Sequence, residues 1–304
     1  MQNVKQVKPK FNRRSTAQEV LSDVDLSGKT ILITGVNSGL GLESMRALAL
    51  RGAHVIGAAR TMEKAAQACA SVTGTTTPVA CELSDFSSIA ACADTVESLG
   101  IPIDALICNA GIMAPGKLIL ANGLEIQFMV NHLGHFLLVN RLIERIKEAR
   151  EGRVVVVSSM SNNQVPKEGI DFDNLSGENG YDAWKCYGRS KLANLLFSRE
   201  LAQRLKGSNA TSNAVHPGVI KTNLQRTPEG FASAFYELIS SVARRSIAQG
   251  AATQCYVAAH LDLAGVSGQY FANCNVMKLP KYGGDDALAG RLWRVSEELT
   301  APYL

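Results

Sequence analysis

The chain has 304 residues, 46% of them hydrophobic, and a net charge of +4, so it can bury the core of one large α/β domain or two small ones. It shows neither an apolar run of about 18 residues nor an N-terminal hydrophobic signal segment, which predicts a cytoplasmic protein without a membrane span. The seven cysteines are scattered and odd in number, which favours buried thiols over a disulfide framework or a metal site.

The basic residues concentrate at the N-terminus. Residues 1–14 contain three lysines, two arginines and no acid, so this stretch accounts for more than the whole net positive charge. The rest of the chain shows no patterned basic face, and we expect no nucleic-acid partner. We predict a mobile basic tail over residues 1–25 and one folded domain over residues 26–304.

From residue 29 onward, predicted strands and helices alternate. The strands are predicted at 29–34, 53–59, 78–83, 103–110, 153–159, 211–217 and 267–272. The helices are predicted at about 40–51, 62–71, 86–98, 122–150, 183–206, 284–298 and, as two stretches, within 229–260. Because the strands are continuously apolar, they indicate a parallel sheet covered on both faces. The expected α/β fold is a single doubly wound Rossmann domain with a seven-stranded parallel sheet and helices on both faces.

Two connections are long enough to suggest a role. The polar segment 160–182 is long for a strand–helix connection, and loops of that length are usually functional or mobile. Residues 223–248 carry apolar residues at helical spacing, among them Phe231 and Phe235, which indicate either an apolar lid or ordinary core packing. We predict substrate loops at about 160–182 and 223–248 and a bulky, largely apolar small molecule as substrate.

The sequence TGVNSGLG, from Thr34 to Gly41, lies between the first predicted strand and the first predicted helix. Gly35 permits a tight turn, while Gly39 and Gly41 allow close approach of a pyrophosphate and close packing of the helix on the sheet. The N–H groups at the helix N-terminus favour binding of the phosphates. In this strand–turn–helix context, the glycine motif predicts a dinucleotide-binding site.

The second predicted strand ends in GAAR, where NAD-binding sites usually have a carboxylate for the ribose 2′-hydroxyl. Here Ala58 and Ala59 stand at that place and Arg60 follows. A guanidinium can hold a 2′-phosphate in a bidentate manner, and Asn37 and Ser38 can add hydrogen bonds. The pattern favours NADP over NAD, and the alternative is that Arg60 begins the next helix as a solvated charge.

Tyr187 and Lys191 stand four residues apart in YGRSK, at the start of a predicted helix. This spacing places both side chains on one helix face. A free phenol has a pKa near 10, and both an ammonium group and an oxidised nicotinamide ring would lower that pKa. The alternative is that Tyr187 is an aromatic residue at the helix boundary and Lys191 a solvated surface charge. The pair alone does not distinguish this alternative from a catalytic pair.

Six motifs occur in one order along the chain: TGxxxGxG, CNAG (108–111), VNHLGHF (130–136), a serine after the fifth strand, YGRSK (187–191) and HPGVIKT (216–222). With these motifs, residues 26–275 resemble the short-chain dehydrogenase/reductase family. STAQEVL, DLSGK, VNHLGHFLL and YxxSKLANLLFSREL are most similar to the retinol dehydrogenase-like branch. That branch also includes WW-domain oxidoreductases, chloroplast Tic32-type proteins and protochlorophyllide reductases.

The resemblance implies a catalytic set of Asn131, Ser159, Tyr187 and Lys191. Tyr187 would act as the general acid/base, and Lys191 would serve both Tyr187 and the nicotinamide ribose. Ser159 would polarise the substrate carbonyl. Asn131 would kink the long helix and hold a water molecule that links Lys191 to solvent.

The serine position has alternatives. Ser159 matches the second serine of the family's pair, whereas Ser158 is its rival and Ser161 is a less suitable substitute. The histidines in these motifs are expected to be structural or to line the pocket, so we predict no metal site.

Together with the glycine motif and Arg60, the resemblance implies a set of cofactor-binding residues. They are Gly35, Asn37, Ser38, Gly39, Leu40, Gly41, Arg60, Glu82, Leu83, Asn109, Ala110, Gly111, Tyr187, Lys191, Pro217, Gly218, Ile220 and Thr222. Glu82 and Leu83 stand where the family usually has Asp-Leu, and the extra methylene of Glu82 would shift the adenine contact.

The sequence thus predicts an NADP(H)-dependent oxidoreductase that interconverts a ketone or aldehyde and an alcohol, with Tyr187 as general acid/base. One alternative is an NADP-binding regulatory or scaffold protein without turnover, which the intact catalytic set disfavours. Another is a C=C reductase of the protochlorophyllide reductase type, which Ser159 disfavours. The family implies a homodimer or homotetramer through the helices predicted at 122–150 and 183–206.

Overall fold

The computed structural model describes residues 10–220 and 245–304. Its strands are β1 Thr30–Thr34, β2 His54–Ala59, β3 Thr76–Ala80, β4 Ala105–Cys108, β5 Leu120–Ala121, β6 Leu124–Glu125, β7 Arg153–Val157, β8 Thr211–His216, β9 Tyr270–Ala272 and β10 Asn275–Val276. Its helices are α1 Ala17–Val20, α2 Gly39–Ala49, α3 Met62–Ala70, α4 Phe86–Glu97, α5 Ile126–Phe128, α6 Gly134–Lys147, α7 Ala183–Arg204, α8 Ile247–Ala259 and α9 Asp286–Thr300. A π-helical turn, Met129–Leu133, joins α5 to α6. Thr222 and most of the loop predicted at 223–248 lie outside the described residues.

The main sheet has eight strands in the order β3-β2-β1-β4-β7-β8-β9-β10. Neighbouring strands run parallel, except that β10 pairs antiparallel with β9. Strands β1, β4, β7 and β8 are buried along their whole length, as expected when helices cover both faces. The doubly wound parallel sheet is confirmed. The predicted number of seven strands is one too few because it omits β10, whose two residues are too few to give a recognisable strand pattern in the sequence.

The order of the strands creates a crevice. β1 pairs with β2 on one side and with β4 on the other. The chain therefore builds one half of the sheet outward through β2 and β3, and the other half outward through β4, β7 and β8. Because the chain adds strands first on one side of β1 and then on the other, the connections leave in opposite directions and a crevice forms at the carboxyl ends of β1 and β4. This is the usual ligand position in a doubly wound sheet.

The helix predicted over 122–150 starts later than expected. β5 and β6 first form a two-stranded hairpin, and Asn122 and Gly123 at its turn have φ of 52° and 74°, as tight hairpin turns require. Glu125 then caps α5 by accepting two N–H groups of its first turn, at 3.0 and 3.1 Å. The Asn-Gly turn and the Glu125 cap thus move the helix start to Ile126.

Residues 10–25, here called the N-terminal strap, pack against the domain. A capping box starts α1, and Ala17, Val20 and Leu21 are fully buried in the core that includes α8. The Phe11 ring packs edge to face on a tyrosine of α8, with 5.4 Å between centroids. The predicted mobile tail is therefore wrong for this part of the chain, because burying these apolar side chains offsets the entropy lost on ordering it.

The last helix, α9, lies across α6 and α7. Its Trp293 ring packs on Phe136 and Phe197, with centroid distances of 5.0 and 5.8 Å. The guanidinium of Arg204 lies 4.1 Å from the Trp293 centroid. The parts of the two long helices that these rings cover are therefore not free for contact with a second copy. Across residues 10–220 and 245–304, no helix combines the length and apolar character needed to cross a bilayer.

We expect Leu21→Ala to lower the free energy of unfolding by about 2–5 kcal/mol, because it leaves a gap in a packed core. Chemical denaturation followed by circular dichroism measures the change. Leu50→Ala is the matched control, since the Leu50 side chain is 49% exposed. A loss below about 0.5 kcal/mol in Leu21→Ala would show that the strap adds nothing to the core.

Candidate active site

A cavity of about 350 Å³ occupies the crevice. The predicted site residues that line it are Gly35, Asn37, Ser38, Gly39, Leu40, Arg60, Glu82, Leu83, Asn109, Ala110, Gly111, Ser159, Tyr187, Lys191, Pro217, Gly218 and Ile220. Gly41 and Asn131 lie behind the wall, where they touch the lining residues Gly35 and Ile112. The predicted residues that the structure describes therefore meet at one site.

The glycine turn after β1 can accept a phosphate-bearing ligand. Gly35 and Gly39 have φ of 74° and 58°, which glycine adopts without strain. A Cβ on Gly41 would lie 2.2 Å from the Gly35 carbonyl oxygen, so no side chain fits between turn and helix. The side chain of Ser38, the N-cap residue, makes no capping hydrogen bond to α2, and the first N–H groups of this helix can donate to an anion.

A buried chain of hydrogen bonds connects β1 with the π-helical turn. The His135 Nδ1 lies 3.0 Å from the Asn131 carbonyl oxygen, which only accepts, so Nδ1 carries the proton and donates. Nε2 then accepts from the Thr34 hydroxyl at 2.8 Å. Burial lowers the pKa of His135 to about 4, so the neutral ring persists near pH 7. The Thr34 oxygen also accepts the N–H groups of Asn109 and Ala110, both at 3.0 Å, which fixes the turn after β4.

The Asn131 side chain is held by the segment that follows this turn. Its Oδ1 accepts the Ile112 N–H at 2.8 Å, and its Nδ2 donates to the Ile112 carbonyl at 3.0 Å and to Ser190 Oγ at 2.9 Å. A Cβ on Gly111 would lie 3.0 Å from Asn131 Oδ1 and 3.5 Å from Lys191 Nζ. Asn131 thus fixes the crevice wall beside Lys191 from behind.

Lys191 places a buried ammonium group beside the crevice. Its Nζ donates to the Val157 carbonyl oxygen at 3.1 Å and lies 5.8 Å from the centroid of the Tyr187 ring. The residue is 4% exposed, and burial lowers the pKa of Lys191 to about 8. Within the described part of the chain, burial is the only cause of this shift, and no carboxylate offsets it.

The two neighbouring serines differ in what they contact. Ser158 is 1% exposed, and its hydroxyl donates to the Lys191 carbonyl oxygen at 2.7 Å. Ser159 Oγ caps a short 3-10 turn by accepting the Ser161 N–H at 3.2 Å, which leaves its hydroxyl proton for a ligand. The geometry therefore favours Ser159 over Ser158 as the residue that faces a substrate.

The segment after β7 is pressed against the start of α7. A Cβ on Gly188 would lie 2.0 Å from the Gln164 carbonyl oxygen and 2.7 Å from that of Ser161. Any other residue at position 188 would push this turn away from the helix. The backbone that carries Ser159 is thereby kept next to the turn of α7 that carries Tyr187.

Arg60 forms an ion pair at the opposite end of the crevice. Its Nε lies 2.9 Å from Glu82 Oε2, and Glu82 Oε1 accepts the N–H and hydroxyl of Ser84 at 3.0 and 2.8 Å. Lys64, one helical turn further on, also lines the crevice, and the sequence reasoning missed it although its i+4 spacing from Arg60 was visible.

The histidines of the motifs are buried and neutral. Burial lowers the pKa of His132 to about 3 and that of His216 to about 4. Over residues 10–220 and 245–304, no three His, Cys, Asp or Glu side chains are grouped to hold a metal ion.

Fold and crevice together define a Rossmann-type dinucleotide-binding protein, and the comparisons identify its family. The sequence model of short chain dehydrogenase matches residues 29–172. The chain is 42% identical to short-chain dehydrogenase TIC 32 B of Brassica napus over 302 residues, which cover 95% of this chain and 94% of that protein. It is 38% identical to human retinol dehydrogenase 14 over 295 residues, covering 90% and 86%. The chain therefore belongs to the short-chain dehydrogenase/reductase family of NAD(P)-binding oxidoreductases, in its retinol dehydrogenase-like branch.

Other similarities agree with this assignment. Human WW domain-containing oxidoreductase is 38% identical over 307 residues, 95% of this chain and 72% of that protein. The crystal structure of an uncharacterised protein from Mycobacterium paratuberculosis matches with a TM-score of 0.74 and 33% identity, over 94% of this chain and 97% of that one.

We expect Lys191→Met to raise the free energy of unfolding at pH 7 by up to about 3 kcal/mol, the equivalent of lowering a lysine pKa from 10.5 to about 8. The native state disfavours the charged form, so below pH 8 the wild type bears the full cost of burying it. Between pH 8 and 10.5 the unfolded chain binds more protons, so wild-type stability rises relative to the variant. Denaturant titrations from pH 7 to 10 measure this difference, and a pH-independent difference would contradict the lowered pKa.

Proposed function

We propose that the protein is an NADP(H)-dependent oxidoreductase that interconverts a ketone or aldehyde and an alcohol. The observation that carries this proposal is that Ser159, Tyr187 and Lys191 meet at one end of a crevice whose other end holds the glycine turn and Arg60. A dinucleotide lying along the crevice would have its phosphates at the start of α2. Its nicotinamide would then lie beside the three polar side chains.

Tyr187 is the proposed general acid/base. In reduction it gives a proton to the carbonyl oxygen of the substrate, and in alcohol oxidation it removes the hydroxyl proton. The charge of Lys191, 5.8 Å from the ring centroid, favours the phenolate form, and it does so more strongly in a dry site than in water. Ser159 donates to the same substrate oxygen and keeps it oriented. When bound, the nicotinamide supplies or accepts the hydride.

The preference for NADP rests on the basic residues at the adenosine end. Arg60 and Lys64 both line the crevice, and the Arg60 side chain is 62% exposed beside Glu82. An exposed guanidinium at this place can form the bidentate contact that suits a phosphate. An NAD ribose would find no carboxylate directly after β2 to hold its hydroxyls.

The substrate end of the crevice supports an apolar substrate. Ile112, Met113 and Met160 line it together with the polar side chains, and Met160 is 58% exposed. Contact with these side chains would remove apolar surface from water on both partners.

We expect Arg60→Ala to weaken NADPH binding about tenfold to a hundredfold, because it removes charge-assisted hydrogen bonds to the 2′-phosphate, and to leave NADH binding nearly unchanged. Titration followed by nicotinamide fluorescence measures both. Arg46→Ala is the matched control, since Arg46 forms a similar exposed ion pair with Glu43 at 2.7 Å but does not line the crevice. Tighter NADH binding that is indifferent to Arg60 would overturn the NADP proposal.

We expect Ser159→Ala to lower kcat about 10²–10³-fold with little change in stability. Ser158→Ala should instead lower the free energy of unfolding by about 1–3 kcal/mol, because its buried hydrogen bond to α7 is lost. Steady-state reduction of aromatic ketones and aldehydes, together with denaturant titration, separates the two effects. Tyr187→Phe is the inactive control that should still bind NADPH. Full turnover of these carbonyl substrates by Ser159→Ala would contradict the proposed role of Ser159 at the substrate oxygen.

A further inference from the structure

A second cavity, of about 420 Å³, adjoins the first. Met160, His216, Gly218 and Val219 line both cavities, so the second one continues the crevice at its substrate end. Its other described lining residues are Arg13, Arg14, Arg245 and Gln249. Three arginines therefore line the cavity, and none of its described lining residues is acidic.

The N-terminal strap brings two of these arginines to the cavity. The Arg14 carbonyl oxygen accepts a hydrogen bond from Gln249 Nε2 at 3.2 Å. Two residues before Arg13, the carbonyl oxygen of Phe11 accepts a hydrogen bond from Asn275 Nδ2 at 2.9 Å. The backbone around Arg13 and Arg14 is thus fixed on both sides although their side chains are exposed. The basic residues of the N-terminus are therefore held at one place on the folded domain.

The third arginine is partly buried and held in place. Arg245 Nη1 donates to the Pro217 carbonyl oxygen at 3.3 Å, and Nη2 donates to Asn273 Oδ1. Burial and the nearby charge of Arg13 both lower the pKa of Arg245. Among the described residues, no carboxylate contributes to the shift in the pKa of Arg245. Like charges gathered at a partly desolvated place cost free energy, and an anion between them would offset that cost.

We propose that this second cavity binds an oxyanion, a carboxylate or phosphate group, carried by the substrate itself. The inference rests on the proposed function and narrows its substrate class to an apolar carbonyl compound or alcohol with an acidic group. The apolar part would lie on Met160, which is 58% exposed and lines both cavities. Guanidinium groups are the preferred protein partners of such planar or tetrahedral oxyanions.

The first test measures the anion alone. Inorganic phosphate is titrated calorimetrically into the full chain in the presence of saturating NADPH, which occupies phosphate-binding groups of the crevice. We expect the double variant Arg13→Gln/Arg14→Gln to bind phosphate at least about tenfold more weakly than the wild type. Lys10→Gln is the matched control, because Lys10 is on the same strap but pairs with Asp23 at 2.7 Å and lines neither cavity. Equal phosphate binding by the wild type and the double variant would overturn the site.

The second test identifies the source of the anion. An aryl ketone with a terminal carboxylate is compared with its methyl ester in steady-state reduction by NADPH. We expect the acid to have the higher kcat/KM in the wild type and in Lys10→Gln, and the ratio of acid to ester to fall toward one in the double variant. An acid-to-ester ratio that does not depend on the two arginines would overturn the substrate assignment, and with Arg-dependent phosphate binding it would identify a free anion as the occupant.

The two proposals fail in different ways. If the wild type neither binds NADPH nor reduces either ketone, the proposed function fails. Phosphate titration of the cofactor-free wild type and double variant then still tests whether the second cavity binds an anion. Only phosphate binding that depends on Arg13 and Arg14 is attributed to that cavity.

Discussion

The carbonyl oxygen of Val157 fixes the geometry on which the active site depends. It accepts hydrogen bonds from Lys191 Nζ at 3.1 Å and from Asn194 Nδ2 at 3.0 Å. In the reverse direction, the Ser158 hydroxyl donates to the Lys191 carbonyl oxygen at 2.7 Å. The end of β7 and the middle of α7 are thus joined by three buried hydrogen bonds, whose strength depends on the exclusion of water. The three proposed catalytic side chains that line the crevice, Ser159, Tyr187 and Lys191, are all attached to one of these two elements.

The same contact explains how a charge can be kept in the interior. A buried ammonium group requires hydrogen-bond partners, and a carboxylate partner would neutralise the charge that lowers the pKa of a nearby phenol. Val157 supplies a neutral acceptor instead. The charge of Lys191 therefore remains available to act on its surroundings, at a cost that appears as its lowered pKa of about 8. Stability is given up at the place where the proposed chemistry needs an electrostatic field.

Sequence reasoning predicted the parts of this structure that depend on local patterns. Continuously apolar strands gave the parallel sheet, and the glycine motif gave the turn before α2. The catalytic set came from the motifs that resemble the family. The N-terminal strap was missed because Ala17, Val20 and Leu21 are too few to form a periodic pattern, and they become core only against α8. The pair formed by Arg60 and Glu82 was also missed, because the two residues lie 22 positions apart and meet only where β2 and β3 end side by side.

The close contact at Gly188 has a consequence for how the substrate range of this protein can be changed. Because the Gln164 carbonyl oxygen would be only 2.0 Å from a Cβ at position 188, residues 159–164 and the start of α7 behave as one rigid unit. The rest of the connection, residues 165–182, starts from that unit and returns to it at the Asp182 cap of α7. Loop exchange or directed evolution confined to 165–182 therefore leaves the contact at Gly188 in place, and that contact keeps Ser159 and Tyr187 in register.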